Sequence, residues 1–206
     1  MRPKIDWKRI IKEVTERCEM TTFSTPQGEP YPYVILPFES IVPFEFIDAT
    51  IEGMSWMLEK ELSEANKILA IEAKGFIPAS WLAQRYGKDL VVIRKRDYKI
   101  PHQIEIEQTK AYGRDKLYGA WQLREDDKLL IVEDIISSGG TLIGVTKDLE
   151  KRRYSIVGIG SVYERGNGID EIKEKTGHNA KGLARLEVMA SKPHVVKFYG
   201  ESTSKV

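Results

Sequence analysis

One cysteine, Cys18, in 206 residues leaves no internal disulfide framework and no multi-cysteine zinc site, a usage that fits a reducing cytoplasm. No apolar run approaches the roughly 20 residues that span a bilayer, and Met1-Arg2-Pro3-Lys4-Ile5-Asp6 lacks the apolar stretch of a secretory signal. Charge of one sign is lacking too. Lys plus Arg number 32 against 31 Asp plus Glu, and a net charge of +1 argues against nucleic acid as a partner. Internal repeats, low-complexity tracts and Gly/Ser linkers are absent, so residues 1–206 read as a single domain. Two nucleotide fingerprints are also missing. No GxxxxGK[ST] occurs, and Gly158-Ile159-Gly160 runs into Ser161-Val162-Tyr163, which breaks GxGxxG; a kinase or dehydrogenase is excluded on motif grounds.

What is present is a core-forming chain, 41% hydrophobic and 31% charged, outside the range of disordered sequences. Trp7, Ile10, Ile11, Val14 and Cys18 fall at helical spacing, predicting an amphipathic helix over 6–20. The Thr, Ser, Gly and Pro of 21–32 predict a loop, 33–37 a short strand and 45–63 a helix. Apolar runs at 68–71, 90–93, 129–132, 156–162 and 183–188 then alternate with helical patterns at 76–86, 139–151 and 168–176. Continuous β-branched runs indicate strands covered on both faces, and their alternation with helices implies parallel pairing. The expected fold is therefore α/β, a doubly wound and mainly parallel sheet with ligands at the carboxyl ends of its strands. Residues 1–45 and the segment from about 160 to 206 are expected to add a small hood lobe.

The most informative stretch is Leu129-Leu130-Ile131-Val132-Glu133-Asp134-Ile135-Ile136-Ser137-Ser138-Gly139-Gly140-Thr141-Leu142. Four apolar residues carry a strand through the core and two carboxylates stand at its end. A turn of small residues follows and opens a helix. Small residues let backbone N–H groups gather round an anion, hydroxyls add donors, and the helix presents its positive end at the same point. A monophosphate fits 137–141. The carboxylates suit sugar hydroxyls, or a Mg2+ shared with a polyphosphate.

Val132 to Thr141 closely resembles the phosphoribosyl-pyrophosphate (PRPP) motif of type I phosphoribosyltransferases. Ile71-Glu72-Ala73-Lys74-Gly75-Phe76 is similar to the pyrophosphate-loop segment of purine members, and Ile93-Arg94-Lys95-Arg96-Asp97-Tyr98-Lys99 to the basic strand end that opens their mobile loop. Glu164-Arg165-Gly166-Asn167-Gly168 and Lys175-Thr176-Gly177 resemble the C-terminal part of archaeal hypoxanthine/guanine-type enzymes. The resemblance covers roughly residues 30–190. It implies that Glu133 and Asp134 bind the ribose hydroxyls and help seat Mg2+, directly or through PRPP. By the same likeness Ser137, Ser138, Gly139, Gly140 and Thr141 cradle the 5-phosphate. Ala73, Lys74 and Gly75 meet the pyrophosphate, with Arg94, Lys95 and Lys99 supplying positive charge, and Lys99 counted with the catalytic set. Tyr163 is a candidate to stack on the base. Residues 99–114, polar and containing Pro101 and Gly113, are expected to form a mobile catalytic loop.

The implied activity is transfer of a 5-phosphoribosyl group from PRPP to a purine, hypoxanthine or guanine favoured, by a cytoplasmic homodimer. The adenine enzyme is one alternative, and a non-catalytic PRPP sensor on the same fold is another. Two departures stand out. Ala111 precedes Tyr112-Gly113 where adenine-type enzymes carry a glutamate, and Ser137 stands where human-type hypoxanthine/guanine enzymes carry an aspartate. Either acid would take the proton of the base; His102, Glu105 and Glu107 are candidate substitutes from the loop, and each reads first as a solvated lid residue. Trp7, Trp56, Trp81 and Trp121 read as packing, His178 and His194 as structural, and Cys18 as an inert core thiol.

Overall fold

The computed structural model describes residues 5–24, 28–110, 113–119 and 123–201; Ala111, Tyr112 and Trp121 lie outside them. Helix α1 (Trp7–Glu16) is capped by Asp6, whose side chain accepts from the Arg9 N–H at 3.2 Å. A hairpin follows, β1 (Met20–Ser24) against β2 (Pro30–Val34), then a 3-10 turn (Pro37–Glu39). The loop expected over 21–32 is thus largely a two-stranded ribbon. Its prolines are tolerated because the ribbon forms a sheet of its own, with no third strand to be served. The helix expected over 45–63 divides at Leu58 into α2 (Phe44–Met57) and α3 (Glu59–Glu64).

The central sheet is built from β3 (Lys67–Ile71), β4 (Asp89–Ile93), β7 (Lys128–Ile136), β8 (Ser155–Glu164), β9 (Ala180–Met189) and β10 (Lys192–Phe198), in the order β10-β9-β8-β7-β3-β4. Between β4 and β7 the chain forms a separate hairpin, β5 (Ile104–Lys110) with β6 (Gly113–Gly119). All central pairs are parallel except β10 with β9. The crossovers run through α4 (Phe76–Tyr86), α5 (Gly140–Lys151) and α6 (Gly168–Thr176). Gly87, at φ 60°, ends α4 in the left-handed conformation that glycine adopts without strain.

Two cores flank this sheet, and strand alternation sorts residues between them. Ile68, Ala70, Leu130 and Val132 face the layer with α1, α2 and α4, whereas Leu69, Ile71, Leu129 and Ile131 face the layer with α5, α6 and the β5–β6 hairpin. Each fully buried Leu or Ile contributes about 1.5–3 kcal/mol relative to exposure. The expectation of a hood from about 160 onward meets a sheet that continues through β8, β9 and β10, so most of that segment runs in the central layer. Residues 99–114, expected as a polar loop, are largely hairpin: Ile104 and Ile106 alternate inward with Leu117 and are buried against the α5 layer.

From β3 the chain steps outward to β4, then returns to the other side of β3 with β7 and moves away through β8 and β9. The direction of winding reverses between β3 and β7. In open α/β sheets the crevice at that reversal, beyond the carboxyl ends of the strands, is where ligands are held.

Candidate active site

The crevice is occupied by the stretch the sequence singled out. A cavity of about 220 Å3 is lined by Ile71 and Glu72 from the end of β3, by Glu133, Ile135 and Ile136 from β7, and by 137–142. Gly139, at φ 74°, turns the chain into α5, and the Gly139 carbonyl accepts the first helical bond, from Ile143 N–H at 2.9 Å. The N–H groups of the first turn therefore have no partner within the helix and open at the cavity, an anion-holding arrangement. The turn is braced from behind by the start of α6: a Cβ at Gly168 would come within 2.2 Å of the Ser137 carbonyl oxygen. A larger cleft of about 590 Å3 along β9 and β10 shares none of these lining residues, and two of its charged groups, Lys181 and Arg185, are already ion-paired with Glu61 and Glu164.

Glu133 and Asp134 leave β7 on opposite sides. Glu133 lines the cavity and lies so close to the turn after β3 that a Cβ at Gly75 would meet its Oε2 at 2.5 Å. Asp134 is 4% exposed and turns to the face of α1 and α2, where its Oδ2 lies 3.5 Å from the Lys74 Nζ. The two carboxyl groups still feel each other. Burial drives Glu133 well above the usual carboxylate range and the charge of Asp134 adds to it. Burial also raises Asp134, against which the Lys74 ammonium pulls down. Lys74 thus favours the charged form of both carboxyls, against their burial. Burial pulls the Lys74 ammonium down, but Asp134, Tyr33 and Glu39 carry it above its ordinary value.

Asp134 Oδ2 is buried with no hydrogen-bond partner. An acceptor so placed is costly unless a donor or cation meets it; the Lys74 ammonium faces it as an ion pair at 3.5 Å without a hydrogen bond, and a sugar hydroxyl or a Mg2+ would supply a direct contact. No group of three or more metal-ligating side chains occurs among the described residues. That donor set fits Mg2+ held by one or two carboxylates and otherwise by substrate oxygens and water, the usual habit of this ion.

The basic strand end is tied to the same turn through Glu72, which the sequence reading quoted without a role. The Lys95 N–H donates to Glu72 Oε2 at 2.8 Å and Arg94 Nε lies 3.7 Å from it. Lys99 sits in a bend at φ 52°, its N–H donating to Asp97 Oδ1 at 2.9 Å, and no contact among the described residues joins it to the acidic pair. Ala73, Lys74 and Gly75 form the turn after β3, but the Lys74 side chain reaches the N-terminal segment: Tyr33 Oη is 3.0 Å and Glu39 Oε1 3.4 Å from its Nζ. Sequence reasoning missed Tyr33 and Glu39, because only the folded chain brings residues so far apart together.

Tyr163 requires a correction. The sequence offered it as a stacking face, but it is 0% exposed, edge-on to Phe38 at 6.2 Å, with its hydroxyl 2.6 Å from Thr15 Oγ1. Helix α1 lies over it, so neither face is open to a ring. Trp7, Trp56 and Trp81 do pack, within 5.4–6.1 Å of other rings. No helix among the described residues is long and apolar enough to cross a membrane.

A profile of the Phosphoribosyl transferase domain matches residues 46–182. The hypoxanthine/guanine phosphoribosyltransferase of Methanothermococcus okinawensis is 35% identical over 183 residues, 89% of this chain and 97% of that protein. The protein of the same name from Methanothermus fervidus is 31% identical, covering 88% and 97%. Among solved structures, the adenine phosphoribosyltransferase of Thermoanaerobacter pseudethanolicus superposes with TM-score 0.67 at 21% identity, over 86% of this chain and 98% of that one. The adenine phosphoribosyltransferase of Trypanosoma brucei, complexed with AMP, pyrophosphate and ribose-5-phosphate, gives 0.68 at 13% identity, over 87% and 79%. The structural likenesses show the shared fold. The matched domain runs from within α2 into β9 and includes every element that borders the cavity, and on that match this chain belongs to the phosphoribosyltransferase family.

Proposed function

We propose that the protein is a purine phosphoribosyltransferase: it transfers the 5-phosphoribosyl group of PRPP to a ring nitrogen of hypoxanthine or guanine and releases pyrophosphate. The single observation that carries this reading is the placement of Glu133 and an anion-holding turn at the crevice where the sheet reverses its winding, with Asp134 beside it on the other face of β7. The names of the archaeal relatives supply the base. The adenine enzymes share the fold at 21% identity or less, which leaves their substrate without weight here.

The reaction breaks the bond from ribose C1 to the diphosphate and forms one to nitrogen, whose proton departs. Negative charge grows on the leaving diphosphate while the sugar becomes cationic, so the site's work is electrostatic positioning of both. In this reading the amides and hydroxyls of 137–141, with the N-terminus of α5, hold the 5-phosphate. Asp134 and Glu133 accept from the ribose hydroxyls. The turn 73–75 offers backbone to the diphosphate, and Arg94 and Lys95 stand near it through Glu72. Bound Mg2+, held by Asp134 or Glu133 together with PRPP, supplies charge neutralisation of the diphosphate. The cationic sugar is open to water, and the β5–β6 hairpin with the bend carrying Lys99 is the segment placed to exclude it.

The test is a panel of free bases incubated with PRPP and Mg2+, with products separated by chromatography. Guanine and hypoxanthine are expected to give their 5-mononucleotides and adenine little; adenine as the preferred base would move the protein to the other purine class. PRPP binding without any nucleotide would leave the sensor reading. Asp134→Asn is expected to lower turnover about a thousandfold with the fold intact by circular dichroism. The homodimer implied by the family is read separately, as a doubled mass in sedimentation equilibrium.

A further inference from the structure

Lys74 is held from three sides, and two of the three holders come from the N-terminal segment. The ammonium donates to Tyr33 Oη at 3.0 Å and is ion-paired with Glu39 Oε1 at 3.4 Å and Asp134 Oδ2 at 3.5 Å. The Tyr33 hydroxyl donates to Glu39 Oε1 at 2.5 Å, which leaves its lone pairs to accept from Lys74. Neither holder is loose. Tyr33 sits in β2 in register with Thr21 and next to buried Val34. Glu39 ends the 3-10 turn whose Phe38 is buried against Phe46 and Tyr163.

A lysine side chain carries about 2 kcal/mol of rotamer entropy, and left alone it extends its head to water. Lys74 instead stays within reach of Asp134, the acid with a buried, unbonded oxygen.

We propose that Tyr33 and Glu39 are positioning residues for the transfer reaction, holding the Lys74 ammonium against Asp134 so that this carboxylate is set for the sugar. The inference rests on the transferase reading and goes beyond it, because it makes the N-terminal hairpin and the turn after it part of the reaction centre. The two residues touch neither sugar nor base. They act through Lys74.

The experiment uses the full chain and two substitutions, Tyr33→Phe and Glu39→Gln, each of which keeps size and shape at a partly exposed position. Two measurements are made. The first is the 15N NMR signal of the Lys74 ammonium in the substrate-free protein, assigned by its loss in Lys74→Arg. The second is a steady-state split of KM for PRPP, KM for guanine and kcat. In the wild type the ammonium protons are expected to exchange slowly enough to be seen, and both substitutions are expected to erase the signal. KM for PRPP should rise about tenfold, the size typical of losing a group that orients a ligand-binding residue, while KM for guanine stays within about twofold. An ammonium signal unchanged in both variants overturns the proposal, as does a lost signal with KM for PRPP unchanged. Equal rises in both KM values would mark a general loosening and also overturn it. Absence of nucleotide formation by the wild type defeats the transferase reading instead; the proposal then fails as a statement about reaction, while the ammonium signal still reports whether Tyr33 and Glu39 hold Lys74.

Discussion

Residues next to one another in sequence can have opposite fates in the fold, and Glu133 and Asp134 illustrate it. Their adjacency was legible as an acidic strand end; their division between two faces follows from alternation, and the partner of each comes from elsewhere in the chain. Tyr163 shows the reverse problem. An aromatic at a strand end reads equally as a rim or as core, and only the placement of α1 over it decides. Tyr163→Phe removes a buried hydrogen bond to Thr15, whose hydroxyl keeps its bond to the Ile11 carbonyl. The expected cost is about 1 kcal/mol by denaturant melt, with base preference unchanged; a switch in the preferred base would restore Tyr163 to the binding site. Cys18 follows the end of α1, partly buried against the core, with its thiol pushed up to about 11 by burial. It is expected to react with a maleimide far more slowly in the folded protein than in guanidinium, and equal rates would show that it is open.

At the scale of elements, the turn proposed to hold the phosphate is packed against the start of α6. Gly168→Ala places a methyl group against the Ser137 carbonyl, so turn and helix must separate. The expected cost is about 1–3 kcal/mol, with weaker PRPP binding by calorimetry. Gly177→Ala is the control. Gly177 ends the same helix at φ 77° with open space around it, so that change strains only its own backbone and should leave PRPP affinity unaltered. Unaltered PRPP affinity in Gly168→Ala would show that the turn does not need this support. The elements read well from sequence are those with long, regular apolar patterns: α4 and α6 fall at 76–86 and 168–176 as expected, and the buried strands β3, β4 and β7 contain their apolar runs. The hairpins were illegible for physical reasons. Pro30 and Pro32 mask β1–β2 as a loop, the inward Ile104 and Ile106 of β5 alternate with Glu over a span too short to stand out, and β10 is broken by a bulge between Val195 and Lys197.

The molecule as a whole is tied at its C-terminal end to α1. Glu201 accepts from the Phe198 N–H at 2.9 Å and from Lys8 at 2.5 Å, and these bonds hold its carboxyl below the usual range. A carboxylate lowered in the folded state stabilises above its unfolded value of about 4.3, and that stabilisation fades as pH falls through the folded value. Wild-type melting temperature is therefore expected to drop on acidification below about pH 4.3 more steeply than that of Glu201→Gln, and parallel curves would remove this tie from the account. The same scale explains what could be read of the site. The acids and the glycine turn after them are contiguous and were visible as a motif, whereas the Tyr33–Glu39–Lys74–Asp134 cluster is assembled from three separate parts of the chain.

The central claim is group transfer at the β3–β7 crevice. It is tested most directly by 31P NMR of PRPP incubated with Mg2+, guanine and either wild-type protein or Asp134→Asn. The account predicts that the wild type converts PRPP into nucleotide and pyrophosphate in equal amounts and that Asp134→Asn leaves PRPP nearly intact. Decay of PRPP to ribose-5-phosphate without nucleotide, or equal conversion by both proteins, would contradict it.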